Sequence, residues 1–350
     1  MEQQRDILGM LDMMVVPAFC AREQTVLRAN PAAQGLLITP GTPVRELLLT
    51  GAEEYGEFEG GCLYLTLTLS GTPHGAAVSR VDDLDIFVLE QEPLQRELTS
   101  LALAAQELRE PLANVMMSAE RLFPTVQGGD AASLNRSLYQ MLRILGNMAD
   151  AVSFCAGSRQ ETVNICSVME EVFGKAREAL SRSGRELLYK GPKESIYCLA
   201  DAQQLERAVL NMLSNASKFA SKGGSIQAEM TRRGRMLRIS VTDCGSGIAR
   251  EILPTLFCRY LRQPTLEDSR FGIGLGMVLI RSAAGNHGGT VLIDQPGEGL
   301  TRITMTLAIR QNTEPLLRSP MLRTDYSGER DHTLVELSDC LPPEIYSPQN

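Results

Sequence analysis

The sequence of 350 residues contains no tryptophan, and only 5% of its residues are aromatic. A surface that stacks single-stranded nucleic acid needs several aromatic rings, so this class of protein is not indicated. Positive charge is also scarce, because 42 acidic residues outnumber 34 basic residues and give a formal net charge of −8. Non-specific nucleic-acid binding depends on an excess of lysine and arginine. We therefore expect no nucleic-acid partner.

Long apolar runs are also missing from the sequence. No run reaches the roughly 18 apolar residues of a membrane span, so none is predicted. Residues 1–6 are not basic, and the apolar stretch 7–19 is interrupted by Asp12 and Pro17, which is not typical of a signal peptide. The eight cysteines form no CxxC pair and favour free thiols over a metal site or disulfides. We expect a cytoplasmic protein.

Residues 1–90 have the pattern of a small α+β module. Residues 62–69 alternate and are rich in β-formers between glycines, and residues 85–89 are similar, so both segments are predicted strands. Asn30-Pro31 is typical of a helix start.

Residues 91–157 have the heptad spacing of a helical hairpin. Apolar residues of the first predicted helix follow a 4-3 spacing: Leu94, Leu98, Leu101, Ala105, Leu108, Leu112, Val115, Ala119 and Leu122. Pro111 lies inside this helix and should kink it. A second helix has the same spacing at Leu134, Leu138, Met141, Leu145, Met148 and Val152. Since one antiparallel hairpin leaves an apolar seam exposed, we predict a homodimer with a four-helix bundle.

Residues 158–310 have the pattern of an α/β domain, and residues 311–350 form a tail. The tail is rich in proline, serine and acidic residues and has one apolar stretch at 333–337. Disorder and a strap on the preceding domain both fit this composition.

The third region carries polar residues at helical spacing. Asn211 and Asn215 are four residues apart and share a helix face, with Lys218 close to it. Two amide oxygens and one ammonium suit a Mg-phosphate group, although such a face is more often merely solvated.

Asp243 follows an apolar strand and precedes Gly245 and Gly247. A carboxylate beside a loop without Cβ atoms suits an adenine amino group, and a tight turn with a surface aspartate is the simpler alternative.

Two later segments have features of a phosphate site. Residues 256–270 include Arg259 and are compatible with a lid whose arginines reach phosphates, or with an ordinary loop. Gly272, Gly274 and Gly276 lead into an apolar helix, whose N-terminus favours anions. Neither the dinucleotide fingerprint nor the P-loop pattern is matched.

Taken in order, these four motifs resemble the Bergerat-fold (GHKL-type) ATPases, and among them the ATP-binding domain of sensor histidine kinases. The resemblance covers about residues 163–309. It implies a two-layer α/β sandwich that binds ATP and Mg²⁺, with Asn215 as the Mg²⁺ ligand and Asn211 and Lys218 on the phosphate side. Asp243 would bind adenine beside Gly245 and Gly247, while Arg259, Gly272, Gly274 and Gly276 would surround the triphosphate.

Two departures bear on the chemistry that the resemblance implies. Hydrolytic superfamily members carry a glutamate where this chain has Asn211, and an amide cannot activate water, so direct ATP hydrolysis by that route is not expected. Phe219 stands where a tyrosine is commoner.

The hairpin resembles the dimerisation and phosphoacceptor domain of the same kinases. Residues 105–112, AQELREPL, match the H-box SHELRTPL except that Gln106 replaces the phosphoacceptor histidine. A carboxamide is not a nucleophile for a γ-phosphate, and Glu107, the family's general base, has no imidazole proton to accept. Glu110 replaces the residue that positions water for dephosphorylating the partner. None of the three histidines lies on the hairpin.

The N-terminal module resembles a PAS sensor domain through Asn30-Pro31-Ala32-Ala33 and its strands. The resulting expectation is an α+β multidomain protein in which a PAS-like sensor and ATP–Mg control the hairpin, without histidine autophosphorylation. Its partner would be a response regulator or another kinase. Two alternatives remain: an active kinase that phosphorylates a different residue, and a dimeric scaffold that uses no nucleotide.

Overall fold

The computed structural model describes residues 9, 11–90, 93–126, 128–221, 223–245, 247, 274–310 and 330–348, without the side chains of residues 93–98 and 128. Among these residues, no helix is both long and apolar enough to cross a membrane. The fold is mixed α and β, as the sequence predicts, with the helical hairpin between two sheet-containing regions.

The N-terminal module is a five-stranded antiparallel sheet with three short helices on its connections. The strands are β1 (Ala18–Arg22), β2 (Thr25–Ala29), β3 (Cys62–Leu69), β4 (Thr72–Val81) and β5 (Leu84–Leu89), and the helices are α1 (Pro31–Gln34), α2 (Val44–Leu47) and α3 (Ala52–Gly56). The strand order is 2-1-5-4-3. As predicted, Asn30 starts α1: its side chain accepts a hydrogen bond from the Ala33 amide.

The hairpin consists of α4 (Pro93–Leu122) and α5 (Gly128–Cys155), joined by a 3₁₀ turn at Phe123–Thr125. Pro111 lies inside α4. The heptad positions of α4 divide into two sets. Ala105, Leu112 and Ala119 are buried in a core shared with α5, whereas Leu108, Val115 and Leu122 are more than half exposed. One hairpin therefore covers only half of its apolar seam.

The third region is a two-layer α/β sandwich, as predicted. Its helices are α6 (Ile165–Arg182), α7 (Ala202–Phe219) and α8 (Leu275–Asn286). Its main strands are β7 (Leu187–Lys190), β9 (Ile226–Arg233), β10 (Met236–Cys244), β11 (Val291–Asp294) and β12 (Leu300–Ala308), and β6 (Glu161–Asn164) pairs with β8 (Tyr197–Ala200). One buried cluster joins the apolar sides of both layers.

The two sheets are joined edge to edge, which the sequence analysis does not anticipate. β3 pairs antiparallel with β11, so that Leu63 lies opposite Leu292 in a continuous ten-stranded sheet. Gly61 permits this approach: a Cβ atom there would lie 2.2 Å from the carbonyl oxygen of Ile293. Arg281 of α8 reinforces the joint by pairing with Glu90 and lying over the ring of Tyr64.

The described part of the tail is a strap on the preceding domains, which was one of the two predicted alternatives. It contains α9 (His332–Glu336) and a 3₁₀ turn at Pro343–Tyr346. Its apolar residues join the main core, and Leu337 and Leu341 are fully buried there. Tyr346 packs edge-on against Tyr139 of α5.

A buried ion-pair network centred on Arg207 connects α7, the hairpin and the strap. Arg207 is 1% exposed; its Nε donates to Asp150 of α5 at 2.7 Å and its Nη2 to Asn147 at 3.0 Å. Its Nη1 pairs with Glu336 of the strap, which is fully buried. Since an unpaired buried charge is costly, these elements depend on one guanidinium.

Replacing Arg207 with glutamine should lower the free energy of unfolding by about 3 kcal/mol, because Glu336 and Asp150 lose their main cation in a buried site. Urea denaturation measures this change. The matched control is Arg182→Gln, which breaks an exposed i,i+4 pair with Glu178 and should cost less than about 0.5 kcal/mol. Equal losses in the two variants would contradict the central role of Arg207.

Candidate functional site

The predicted polar face is located on α7. This helix begins after Asp201, whose side chain accepts a hydrogen bond from the Gln204 amide at 3.1 Å. Asn211, Asn215 and Lys218 follow along the face that is turned towards α8 and the strap: Asn215 Nδ2 lies 3.7 Å from the sulfur of Met277, and Asn211 is 1% exposed. Their shared position agrees with the i,i+4 spacing.

Asp243 lies near the end of β10, beside the end of α7. An isolated bridge between Ala220 and Gly245 joins the two elements. The Asp243 side chain is buried, and its Oδ1 has no hydrogen-bond partner among the described residues. Burial raises the pKa of this carboxyl from 3.8 to about 7. An acceptor held in this way is unusual in a folded protein, and it suits a donor from outside the chain.

The glycines of the site are placed where a side chain would collide or be strained. A Cβ atom at Gly245 would lie 2.3 Å from the carbonyl oxygen of Phe219, and one at Gly276 would lie 2.8 Å from Asn211 Oδ1. Gly247 and Gly274 have positive φ angles of 71° and 76°, and Gly274 caps the N-terminus of α8.

Arg259 and Gly272, the remaining predicted contacts, lie outside the described residues.

Lys218 is held by charged groups that the sequence analysis did not connect with it. Its Nζ lies 2.6 Å from Asp339 Oδ2 in the strap, and Asp339 also pairs with Arg143 of α5. Burial, together with the nearby Arg143, lowers the pKa of Lys218, while Asp339 opposes that shift. Burial alone would raise the pKa of Asp339, but Arg143 and Lys218 bring it below its usual value.

Four charged residues of this site were missed from the sequence: Arg143, Arg207, Glu336 and Asp339. A signal existed for Arg207, because it precedes Asn211 by four residues and so extends the polar face of α7. Glu336 stands inside the apolar stretch 333–337, which also marks it as unusual. Arg143 and Asp339 had no local signal, since only the packing of the hairpin and the strap brings them to α7.

On the hairpin, Gln106, Glu107 and Glu110 are exposed on α4. His287, the histidine of the ATPase-like region, is buried and uses both ring nitrogens. Its Nδ1 donates to the carbonyl of Ala283 at 2.7 Å, and its Nε2 accepts from the Asp201 amide at 2.9 Å. Burial lowers the pKa of His287. This histidine therefore holds a turn.

Among the described residues, no group of three histidine, cysteine, aspartate or glutamate side chains is arranged to hold a metal ion. The donor set near α7 is instead two amides and one ammonium. The amide oxygens of such a set can ligate Mg²⁺ and the ammonium can contact a phosphate, so the set suits a Mg–phosphate group.

The third region also resembles a domain of known proteins. Residues 200–311 match the family model described as histidine kinase-, DNA gyrase B-, and HSP90-like ATPase. Sensor-like histidine kinase SenX3 of Mycobacterium tuberculosis is 27% identical over 268 residues, which cover 70% of this chain and 64% of that protein. Sensor histidine kinase CusS of Escherichia coli is 29% identical over 214 residues, covering 58% of this chain and 44% of that protein.

Other similar proteins are longer or more distant. Sensor protein KdpD of Clostridium acetobutylicum is 27% identical over 221 residues, but these are only 24% of its length. This chain thus spans less than two thirds of each of these curated relatives. Among solved structures, full-length ShkA in complex with AMPPNP has a TM-score of 0.50 and 21% identity, covering 62% of this chain and 47% of that one. This likeness shows the fold alone.

Replacing Asp243 with asparagine should stabilise the ligand-free protein above neutral pH. The carboxyl has a higher pKa when folded than when unfolded, so its ionisation lowers the stability of the wild type as pH rises from about 4 towards 8. The variant has no charge to bury and should gain about 1–3 kcal/mol over wild type at pH 8 and less at pH 5.

Urea denaturation at the two pH values measures this difference. Asp130→Asn, at an exposed position of α5, is the matched control and should follow the wild type at both. A loss of stability in Asp243→Asn at pH 8 would show that the buried carboxylate has a favourable partner.

Proposed function

Because residues 200–311 match a histidine kinase-like ATPase family and similar proteins are named sensor histidine kinases, we propose that this chain is a sensor-histidine-kinase-like protein that binds ATP–Mg and signals without phosphorylating its own hairpin. The nucleotide lies between α7, α8 and the end of β10. Conformation, rather than phosphohistidine, is then the output. This proposal treats the chain as a nucleotide-dependent regulator that has kept the kinase architecture.

The observation that carries ATP binding is the buried Oδ1 of Asp243, which has no hydrogen-bond partner in the part of the chain that the structure describes. An adenine amino group is a hydrogen-bond donor of the type that this carboxylate lacks. Its hydrogen bond would offset the free-energy cost of burying the carboxylate charge. Gly245 and Gly247 leave room beside it. On the phosphate side, Lys218 and Asn211 supply positive charge and an amide, and Gly274 and Gly276 form the N-terminus of α8, with Arg259 and Gly272 proposed to complete this side.

Asn215 is the residue of α7 proposed to hold Mg²⁺ through its amide oxygen, with phosphate oxygens completing the shell. When bound, Mg²⁺ neutralises phosphate charge. The chain's own residues provide the orientation: α7 fixes Asn211 and Asn215 one turn apart, and Asp243 sets the position of the base. Asn211 cannot accept a proton from water, which argues against hydrolysis at this position.

The loss of autophosphorylation rests on α4. Gln106 is exposed on the hairpin at the phosphoacceptor position, and its amide has no nucleophilic lone pair. Glu107 remains beside it as a base, but there is no imidazole proton for it to accept. Of the chain's three histidines, none is on the hairpin, and both nitrogens of His287 are engaged in hydrogen bonds.

The N-terminal module is proposed to be a PAS-type sensor that acts on the ATPase-like domain directly. Its strand β3 is hydrogen-bonded to β11, and Arg281 links β3 and Glu90 to α8, the helix that begins at the proposed phosphate site. A change in the sensor would therefore shift α8 and the nucleotide together. The protein that responds is proposed to be a response regulator or another kinase in the cytoplasm.

We also propose that the chain works as a homodimer through the uncovered half of the hairpin seam. Leu108, Val115 and Leu122 of α4, with Leu134 and Met141 of α5, are each at least 42% exposed. Two such faces would cover each other in a four-helix bundle.

Val115→Glu should convert the dimer to a monomer, because it places a charge in the centre of this seam. Light scattering coupled to size-exclusion chromatography reads the mass. Leu188→Glu, at a comparably exposed apolar position on β7, should remain dimeric. A wild-type monomer, or a dimer that Val115→Glu leaves intact, would contradict the proposed interface.

The function as a whole is tested by calorimetric titration with ATP–Mg, followed by incubation with γ-labelled ATP. The wild type should bind ATP–Mg but acquire no label. Gln106→His should acquire an acid-labile, base-stable label, because it restores an imidazole beside Glu107. Asn114→His, exposed two turns along the same helix, is the matched control and should stay unlabelled.

Several outcomes would contradict the proposal. A wild type that gives no heat with ATP–Mg would favour a scaffold that uses no nucleotide. An acid-labile label on the wild type would mean that a histidine outside the hairpin accepts phosphate. An acid-stable label would favour a kinase that acts on serine, threonine or tyrosine, for which the retention of Asn211, Asn215 and Lys218 is the favouring observation.

A further inference from the structure

The strap places carboxylates directly on the proposed phosphate side of the nucleotide site. Asp339 follows α9 and lies 2.6 Å from Lys218 Nζ, while its carboxylate also pairs with the guanidinium of Arg143. Glu336, one turn earlier, accepts a hydrogen bond from Asn211 Nδ2 at 3.3 Å and pairs with Arg207. The two polar groups of α7 assigned to phosphates are thus both in contact with the tail.

The charges of this region balance only when the strap is in place. Without the strap, three cations (Arg143, Arg207 and Lys218) face a single carboxylate, Asp150. Glu336 and Asp339 supply the two missing negative charges. A mostly buried site with an excess of positive charge attracts an anion, and in this structure the anion at Lys218 and Arg143 is the Asp339 carboxylate of the chain itself.

Resting on the proposed function, we propose that residues 330–348 compete with ATP inside the same molecule, with Asp339 occupying the anion position between Lys218 and Arg143 that the terminal phosphates of ATP take. One ammonium and one guanidinium that hold the Asp339 carboxylate cannot hold a phosphate in the same place. ATP–Mg therefore binds when Asp339 leaves, and the apparent affinity is the intrinsic affinity multiplied by the fraction of molecules in which Asp339 has left.

The position of Asp339 in the strap allows its carboxylate to separate from Lys218 and Arg143. Its side chain is 31% exposed, at the edge of the site, whereas Glu336 is fully buried. The apolar residues Leu337 and Leu341 hold the segment in the core independently of the ion pair. Release of one carboxylate is thus a smaller change than loss of the whole segment.

Arg143 gives the competition a consequence for the hairpin. It belongs to α5, and its Nη2 lies 3.5 Å from Asn211 Oδ1, so the anion site is shared between the hairpin and the ATPase-like domain. Exchanging Asp339 for a phosphate changes what holds α5 to α7. The occupant of this site therefore sets how the hairpin is held, which is the output that a protein without a phosphoacceptor needs.

The test is a calorimetric titration of the full chain with ATP–Mg. Asp339→Asn should lower the apparent Kd about tenfold, because the amide no longer competes as an anion for Lys218 and Arg143. Glu344→Gln is the matched control, since it removes the same charge from an exposed position of the same segment and should bind like the wild type. Lys218→Ala should weaken binding in the wild type and in Asp339→Asn.

Hydrogen exchange gives a second measurement on the unaltered protein. The Cys340 and Leu341 amides, next to Asp339, both donate to the Leu337 carbonyl at 3.0 Å. Saturating ATP–Mg should speed their exchange, because the turn that contains Asp339 loosens when its carboxylate leaves.

Each other result overturns the inference in a recognisable way. Equal affinity of Asp339→Asn and the wild type, or unchanged exchange of the Cys340 and Leu341 amides at saturating ATP–Mg, would overturn the competition and leave ATP binding intact. Equal tightening by Asp339→Asn and Glu344→Gln would reduce the effect to net charge. No binding by any of the variants would overturn the proposed function and this inference with it.

Discussion

The guanidinium of Arg207 is the contact on which the arrangement of the domains depends. It is almost completely buried, and its partners come from three separate stretches of chain: Asn147 and Asp150 from the hairpin, and Glu336 from the strap. A buried charge is stable only with complete partners, so each stretch is needed for the others to stay seated. Apolar packing alone would allow several orientations of the hairpin. The planar guanidinium of Arg207 donates in fixed directions and so selects one of them.

The continuous sheet imposes a second constraint, at the joint between β3 and β11 next to α8. Pairing of β3 with β11 turns the N-terminal module into an extension of the ATPase-like sheet rather than a domain on a flexible linker. Arg281, buried in α8, contacts Tyr64 and Glu90 at this joint, while Gly276 at the start of the same helix approaches Asn211. α8 is therefore a rigid element with the N-terminal module near one part and the candidate site near another. Because packed elements shift as units, the two regions are mechanically connected.

Local features of the fold and site could be predicted from the sequence, and features produced by long-range packing could not. The spacing of Asn211, Asn215 and Lys218 and the position of Asp243 after a β-strand are local patterns, and the structure brings these residues to one region. The heptad residues of α4 predicted both a helix and an incomplete seam, which agrees with the exposure of Val115. By contrast, Asp339 lies 121 residues from Lys218 along the chain, and no periodicity relates them. The pairing of β3 with β11 could not be predicted for the same reason, because the sequence of an edge strand does not indicate which strand it pairs with.

The absence of a histidine at position 106 and the proposed occupation of the anion site by Asp339 are consistent with one another. In an active kinase, an acidic segment seated on the phosphate side would lower the rate of phosphoryl transfer. Under the proposed function, Gln106 stands in the place of the phosphoacceptor, so there is no phosphoryl transfer to the hairpin that the segment could slow. Nucleotide binding alone must then change the conformation of the protein. A ligand shifts a conformational equilibrium only when it binds one state better than the other. Under the proposed competition, the tail occupies the site when ATP is absent, which creates those two states, and Arg143 connects the hairpin to the exchange.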